Sequence, residues 1–385
     1  MKKRFFTAVI SILVMTALIF TSCGQPGTEQ DENIEKQLTV PVKLVKKHGN
    51  VDLETTFKEV EAAGMNVGDL ITVSVGDKRY DMPIGTSFTD VDNGSMVLRF
   101  DEAENEVSLG INMGSFAEDT GIAEKKTTDK DSGNEWDIKI HEVGLQLKEK
   151  EGYLEEYNAR NLTRSDKRED YPELSDEDFA NFRAVSIPGM KKDLLYRSSS
   201  PLDPLLGRNE YVMAAMEKVG IRSVVNLQDS EDYMKKYETY PGSYYSGCAV
   251  VNLEMNYEFL SPDFGKYVKK AVVFLTENEG PYLIHCREGK DRTGILCALL
   301  EAFAGASAEE IKNDYMLTYR NFYKTKPEDE SYDIILNGNL VKTLCGLFKI
   351  DSIEGVDLKE KANDYFLSIG ITEEQLAKLR SIFAS

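Results

Sequence analysis

The chain has 385 residues, enough for two folded units and accessory segments. Its 66 acidic residues outnumber 46 basic ones, and the formal charge of −20 repels nucleic acid and anionic membranes rather than attracting them. Recognition of phosphate therefore has to be local.

Taken in chain order, the first segment is "MKKRFFTAVISILVMTALIFTSCG". Lys2, Lys3 and Arg4 precede an apolar run over residues 5–20 that is shorter than the roughly 20 apolar residues of a membrane span and is interrupted by Thr7, Ser11 and Thr16. Residues 1–22 read as an export signal. "FTSCG" resembles a bacterial lipoprotein processing site, which implies lipid on Cys23 and an exported protein held at the cell membrane by that lipid alone, or released outside the cell. Residues 23–36 are polar and aperiodic, the composition of a tether.

From 37 to 143 short runs of β-branched or alternating apolar residues, "LITVSV", "SMVLRF", "EVSLGI" and "WDIKIHEV", are separated by turn residues, and they predict a small all-β domain. Residues 123–134 read as a loop within it. The stretch from "GDLITVSV" to "GINMGSF" resembles the accessory β-barrel of the S-adenosylmethionine hydroxide adenosyltransferases, a likeness that carries no site residue. Residues 144–176 read as a charged connector with some helical character.

The pattern changes near residue 181. Continuous apolar runs at 221–228, 248–255 and 281–286 have the composition of strands buried on both faces. Between the last two, Phe264, Tyr267, Val268, Ala271, Val272 and Leu275 recur on one helical face. Alternating strands and helices predict an α/β domain over 177–385 with a largely parallel sheet flanked by helices. Capping boxes at Ser307/Glu310 and Thr372/Gln375 mark later helix starts.

"HCREGKDRTG" at 285–294 carries the chemistry. The run "PYLIHC" ends a strand and "TGILCALLEAF" continues as a helix, so the residues between form a tight loop whose amides converge at a helix N-terminus, an arrangement that binds phosphate. Gly289 allows a backbone angle closed to other residues, and Arg292 can curl back to grip two phosphate oxygens. Amide dipoles, the helix end and the guanidinium favour Cys286 as the thiolate. Thr293 can donate its hydroxyl to the sulfur, and His285 positions the loop. No other cysteine in the chain has an arginine six residues on. Cys297 and Cys345 read as small core residues. Cys248 opens a strand while Cys286 closes a parallel one, so no disulfide between them is expected.

With "FANFRAV" and "LLYRSSSP" before it and "IKNDYMLTYRNFY" after it, this loop resembles the bacterial cysteine-dependent phosphatases of the tyrosine and dual-specificity superfamily. The resemblance implies a two-step transfer without metal or cofactor: Cys286 as nucleophile, Arg292 as transition-state clamp, Glu288 to Gly294 as amide cradle and Thr293 as hydroxyl partner. Relatives often carry Asp-Leu-Arg where this chain has Asn226, Leu227 and Gln228. In many the general acid is an aspartate about 30 residues before the nucleophile, where this chain has Asn256. Glu254, Asp263 and Asp291 remain as candidates, and relatives sharing "GKDRTG" point to Asp291. The expected substrate is phosphotyrosine in protein. Arg287 and Lys290 raise phosphoinositides or inositol phosphates as the alternative, and a non-catalytic phosphate-binding surface lipoprotein is the reading from another class.

Overall fold

The computed structural model describes residues 37–92, 94–126 and 136–383. The export signal, the tether with Cys23, and most of the expected loop at 123–134 lie outside the described residues.

Among the described residues the N-terminal unit has nine strands: β1 (Leu38–Val45), β2 (Val51–Leu53), β3 (Leu70–Val75), β4 (Lys78–Gly85), β5 (Met96–Asp101), β6 (Glu106–Ile111), β7 (Ala123–Lys125), β8 (Trp136–Ile138) and β9 (Glu142–Glu149). Seven of them close a barrel in the order β1-β2-β6-β5-β4-β3-β9, and β7 and β8 form a separate hairpin. Period-two alternation explains the barrel interior. Ile71, Val73 and Val75 of β3 are buried, while Thr72 and Ser74 between them are not. The expected strand over "WDIKIHEV" is broken. Trp136 pairs with Lys125, the amides of Lys139 and Ile140 both turn onto the Ile122 carbonyl, and the barrel strand starts afresh at Glu142. The barrel therefore runs to Glu149, past the expected boundary at 143. The connector beyond it is an ordered bridge: the helix Leu154–Arg160 buries Ala159 in the core of the second unit.

That second unit holds β10 (Arg183–Ala184), β11 (Leu195–Ser198), β12 (Ser223–Asn226), β13 (Ala249–Asn252) and β14 (Tyr282–His285), in the order β10-β11-β14-β12-β13. β11, β14, β12 and β13 are parallel, and β10 is an antiparallel edge. Alternation sorts the two faces. Val225 and Ile284 pack with Phe264, Val268 and Leu275 on one side, and Val224 and Leu283 pack with Val212 and Met216 on the other. The helix Pro262–Glu277 takes the expected face inward, with Ser261 capping it, and both capping boxes form.

Parallel strands bring all C-terminal ends to one edge, so Ser198, Asn226, Asn252 and His285 line up there. Cys248, just before β13, lies at the opposite edge and donates to the Ile221 and Tyr244 carbonyls. Cys297 is buried as expected. Cys345 departs from expectation: it is only half-buried, packed at the margin of the core.

Candidate active site

β14 ends at His285, residues 286–290 form the loop, and the helix Asp291–Ala304 follows at once. Cys286 sits at the loop base, 3% exposed. Gly289 has φ of 69°, and a Cβ there would lie 2.2 Å from the Ser198 carbonyl oxygen, so both backbone and neighbour demand glycine. Three consecutive loop carbonyls are tied down from outside. The Ser200 amide donates to Arg287 O at 2.9 Å, Asn181 Nδ2 to Glu288 O at 3.1 Å, and Arg197 Nη2 to Gly289 O at 2.8 Å. A trans peptide points its N–H away from its C=O, so these bonds hold the amides of 288 to 290 on the other side of the loop. Asp291, Arg292 and Thr293 occupy the first helical turn, whose N–H groups have no partner within the helix.

One expected member of the cradle is corrected. The Gly294 amide donates to the Lys290 carbonyl at 2.8 Å and is spent on the helix. Its glycine serves packing instead, because a Cβ would come within 2.6 Å of the Tyr315 ring.

Behind the loop lies a buried charge cluster that sequence reasoning quoted but gave no role. Arg197, 1% exposed, pairs with Asp314, and Arg183 donates to the same carboxylate at 2.7 Å and to Asn181 Oδ1 at 2.6 Å. Burial would raise the Asp314 carboxyl, but the two guanidiniums outweigh it and hold it well below the usual range. Glu301 nearby is pushed well above its ordinary value by burial and by Asp314. Asn181 and Arg183 belong to "FANFRAV", Arg197 to "LLYRSSSP" and Asp314 to "IKNDYMLTYRNFY". The signal was present as motif; its geometry was not.

His285 is fully buried. Its Nδ1 faces the Cys286 carbonyl at 3.4 Å, which can only accept, so Nε2 accepts from the Tyr245 hydroxyl at 3.0 Å. Burial pulls its pKa down to about 3, leaving a neutral ring that holds the loop base. Arg292 donates through Nη1 to the Met255 carbonyl at 3.2 Å and through Nη2 to the Tyr257 hydroxyl at 2.9 Å, with its guanidinium 4.5 Å from that ring. Its Nε and Thr293 Oγ1 are buried without a protein partner, two donors of the kind an oxyanion would accept.

The other loop charges are engaged. Arg287 Nε reaches Asp203 at 3.2 Å. Glu288 binds Arg164, from the connector, at 2.8 Å and the Tyr323 hydroxyl at 3.1 Å. Lys290 lies 3.5 Å from Glu288 and 3.8 Å from Asp291. Burial alone would lower Lys290, but Asp291, Tyr323 and Glu288 raise it and keep it charged.

Of the acid candidates, Asp263 is 60% exposed and paired with Lys266 at 2.6 Å on the helix Pro262–Glu277. Glu254 is exposed with a left-handed backbone, and Asn256 donates no proton but accepts from the Glu258 amide at 3.1 Å. Asp291 lines a cleft with Tyr257, keeps about a third of its side chain exposed, and has its pKa raised by burial against the opposing pull of Lys290 and Arg292. Asn226, in the Asp-Leu-Arg position of relatives, turns the chain after β12: its Oδ1 accepts from the amides of Gln228 and Asp229.

Against known sequences, the model of the tyrosine phosphatase family matches residues 177–384, more than half of the chain. The chain belongs to the tyrosine phosphatase family. It is a phosphoric monoester hydrolase acting on phosphorylated substrates, and its barrel, with the other strands from β1 to β9, lies outside the matched segment. Curated protein sequences gave no match. Among solved structures the phosphatase is similar to the core catalytic domain of the PP-IP phosphatase SIW14 from S. cerevisiae, at 22% identity over 40% of this chain and 83% of that one, TM-score 0.28. It is also similar to P. aeruginosa TpbA in complex with phosphotyrosine, at 16% identity over 47% and 88%, TM-score 0.29. An uncharacterized conserved protein from Thermotoga maritima matches at 19% identity over 29% of this chain, with TM-score 0.23, and the phosphatase spans only 36% of that protein.

Proposed function

We propose that this phosphatase hydrolyses phosphotyrosine in proteins or peptides through a cysteinyl-phosphate on Cys286. The Cys286 thiolate attacks phosphorus, the P–O bond to the tyrosine breaks, and the leaving phenolate takes the proton of Asp291. Water then attacks the phosphocysteine, its proton returns to Asp291, the P–S bond breaks, and inorganic phosphate leaves. Loop amides and Arg292 stabilise the charge that builds on the three equatorial oxygens, and the Thr293 hydroxyl supports the departing sulfur.

The observation that favours phosphotyrosine over phosphoinositides is the pairing of the additional cations. Arg287 Nε is held by Asp203, and Lys290 lies near Glu288 and Asp291, so carboxylates already offset much of the charge that a second phosphate on a polyphosphorylated head group would need. Turnover of the intact Cys286–Arg292 pair separates this reading from a passive phosphate-binding lipoprotein. The deciding experiment compares p-nitrophenyl phosphate, a phosphotyrosyl peptide and a short-chain phosphatidylinositol polyphosphate with the purified protein. Higher kcat/KM for the peptide than for the lipid supports the assignment; the reverse order transfers it to the lipid, and no turnover of any of the three leaves the binding reading.

Placement outside the cytoplasm is part of the proposal and rests on the basic and apolar stretch before "FTSCG". Incorporation of labelled fatty acid that disappears in Cys23→Ser supports the lipid anchor, whereas labelling unchanged by that substitution refutes it.

A further inference from the structure

The cleft that Asp291 lines, about 630 Å³, is shared between the two folded units. The barrel contributes Thr89, Asp92 and Asn112 to it, although β1 to β9 lie outside the segment that defines the family. Side-chain bonds fix this corner of the barrel onto the connector helix Leu154–Arg160, which packs into the catalytic core, and onto Lys342 of the catalytic unit. Asp92 accepts from Arg160 at 2.8 Å and pairs with Lys342. Asp90 Oδ1 accepts from Asn161 Nδ2 at 3.1 Å, its carbonyl accepts from the Tyr153 hydroxyl at 3.0 Å, and Thr86 bonds the Tyr157 hydroxyl at 3.1 Å. A surface held this way can act as part of a binding site, because it does not have to be ordered when a ligand arrives.

From these contacts we infer that the barrel is a recognition element of the phosphatase, and that the residues flanking the phosphotyrosine of a peptide substrate lie in the cleft between Thr89 and Leu260. The inference rests on the phosphotyrosine reading above and deepens it. Three features of the lining fit a peptide. Thr89, Asn112, Asn339 and Thr343 line it with neutral hydroxyl and amide groups; each makes one internal bond, and a hydroxyl lone pair or second amide N–H on each can still meet an extended backbone. Tyr257 and Leu260 are 58% and 63% exposed, unusual for side chains of their size, and offer apolar surface beside the acid residue. The two cations at the cleft, Arg160 and Lys342, are both committed to Asp92, so the lining does not recruit a polyanion. The floor is continuous with the catalytic centre through Asp291 and Tyr257, the latter bonded to Arg292.

Thr89 is the position to test, because it is exposed and stands on the barrel side. The measurement is the ratio of kcat/KM for a phosphotyrosyl peptide of about six residues, with leucine on each side of the phosphotyrosine, to kcat/KM for free phosphotyrosine, using the full chain. Thr89→Trp should lower that ratio roughly tenfold, mainly through KM, the size expected for losing one or two neutral hydrogen bonds or an apolar contact. Thr89→Leu should lower it less and guards against a folding defect in the bulkier variant. Glu104→Trp serves as control: it lies in the turn joining Asp101 to Glu106, at the far end of the β5–β6 pair from the Met96–Ile111 end that adjoins Asn112, and should leave the ratio unchanged. An unchanged ratio in both Thr89 variants overturns the inference while leaving the substrate reading intact. A wild-type protein that hydrolyses free phosphotyrosine but no phosphotyrosyl peptide overturns both.

Discussion

Arg197 donates to the carbonyl of Gly289 across 2.8 Å while its other end pairs with Asp314, so a buried ion pair clamps the turn of the phosphate loop from behind. Catalytic geometry is thereby tied to a charge cluster behind the loop.

Removing that clamp should damage stability and rate together. Arg197→Met leaves the Asp314 charge with Arg183 alone and frees the Gly289 carbonyl, a loss of about 3–5 kcal/mol by analogy with other broken buried pairs. Chemical denaturation and kcat at a temperature where the variant is folded measure the two effects. A variant of normal kcat would show that the loop keeps its shape unaided.

The acid assignment predicts a dependence on leaving group. Asp291→Asn should slow phosphotyrosine turnover by about 10²–10³-fold, but an aryl phosphate with an already acidic phenol far less. Because burial raises the Asp291 pKa, the wild-type enzyme holds this proton to higher pH than an ordinary carboxyl does, and activity falls as pH rises through that raised value. The alkaline limb should flatten in the variant. Selective loss in Asp263→Asn instead would move the acid to the helix Pro262–Glu277.

His285 makes the fold sensitive to acid. Its folded pKa is about 3 against 6.5 for an unperturbed histidine, so above 6.5 neither state is charged and the residue contributes nothing to the pH dependence. Below 6.5 the unfolded chain takes the proton and the folded one does not, and stability falls by up to about 1.4 kcal/mol per pH unit. Between pH 6.5 and 5 the loss is about 2 kcal/mol. Stabilities of wild type and His285→Gln from denaturation curves should diverge by about 2 kcal/mol across this range; a constant difference would show that the ring titrates freely.

Oxidation should strike Cys286 reversibly. Peroxide is expected to abolish activity and dithiothreitol to restore part of it, through the sulfenic acid. Cys248 offers no rescue: β13 and β14 flank β12, and Cys248 precedes β13 while Cys286 follows β14, which sets them two strand spacings apart sideways and a full strand length apart along the sheet. Their Cα atoms are far beyond the roughly 7 Å a disulfide spans. A Cys248–Cys286 peptide in a non-reducing digest would contradict this sheet.

Local chemistry was legible along the chain. The face of the helix Pro262–Glu277, the capping residues Ser307 and Thr372, the alternation in β3 and the loop at 285–294 are all set by side chains a few residues apart, and periodicity or spacing reports them directly. Where neighbours in sequence part company in space, the pattern misled: "WDIKIHEV" has the alternation of one strand, yet Trp136 pairs with Lys125 and Val143 with Val40. Gly294 belongs to the loop motif by spacing, but its amide had already been taken by the helix. The long-range relations had no local signature. Arg197 and Asp314 are 117 residues apart, Asp92 and Lys342 250 apart, and no periodicity links them. Sequence determined that Cys286 and Arg292 share a phosphate loop, because six residues of tight backbone leave them no other arrangement. Only the tertiary structure decided which distant charges steady that loop and that a barrel wall stands beside it, because those contacts exist only once strands and helices pack and bury them.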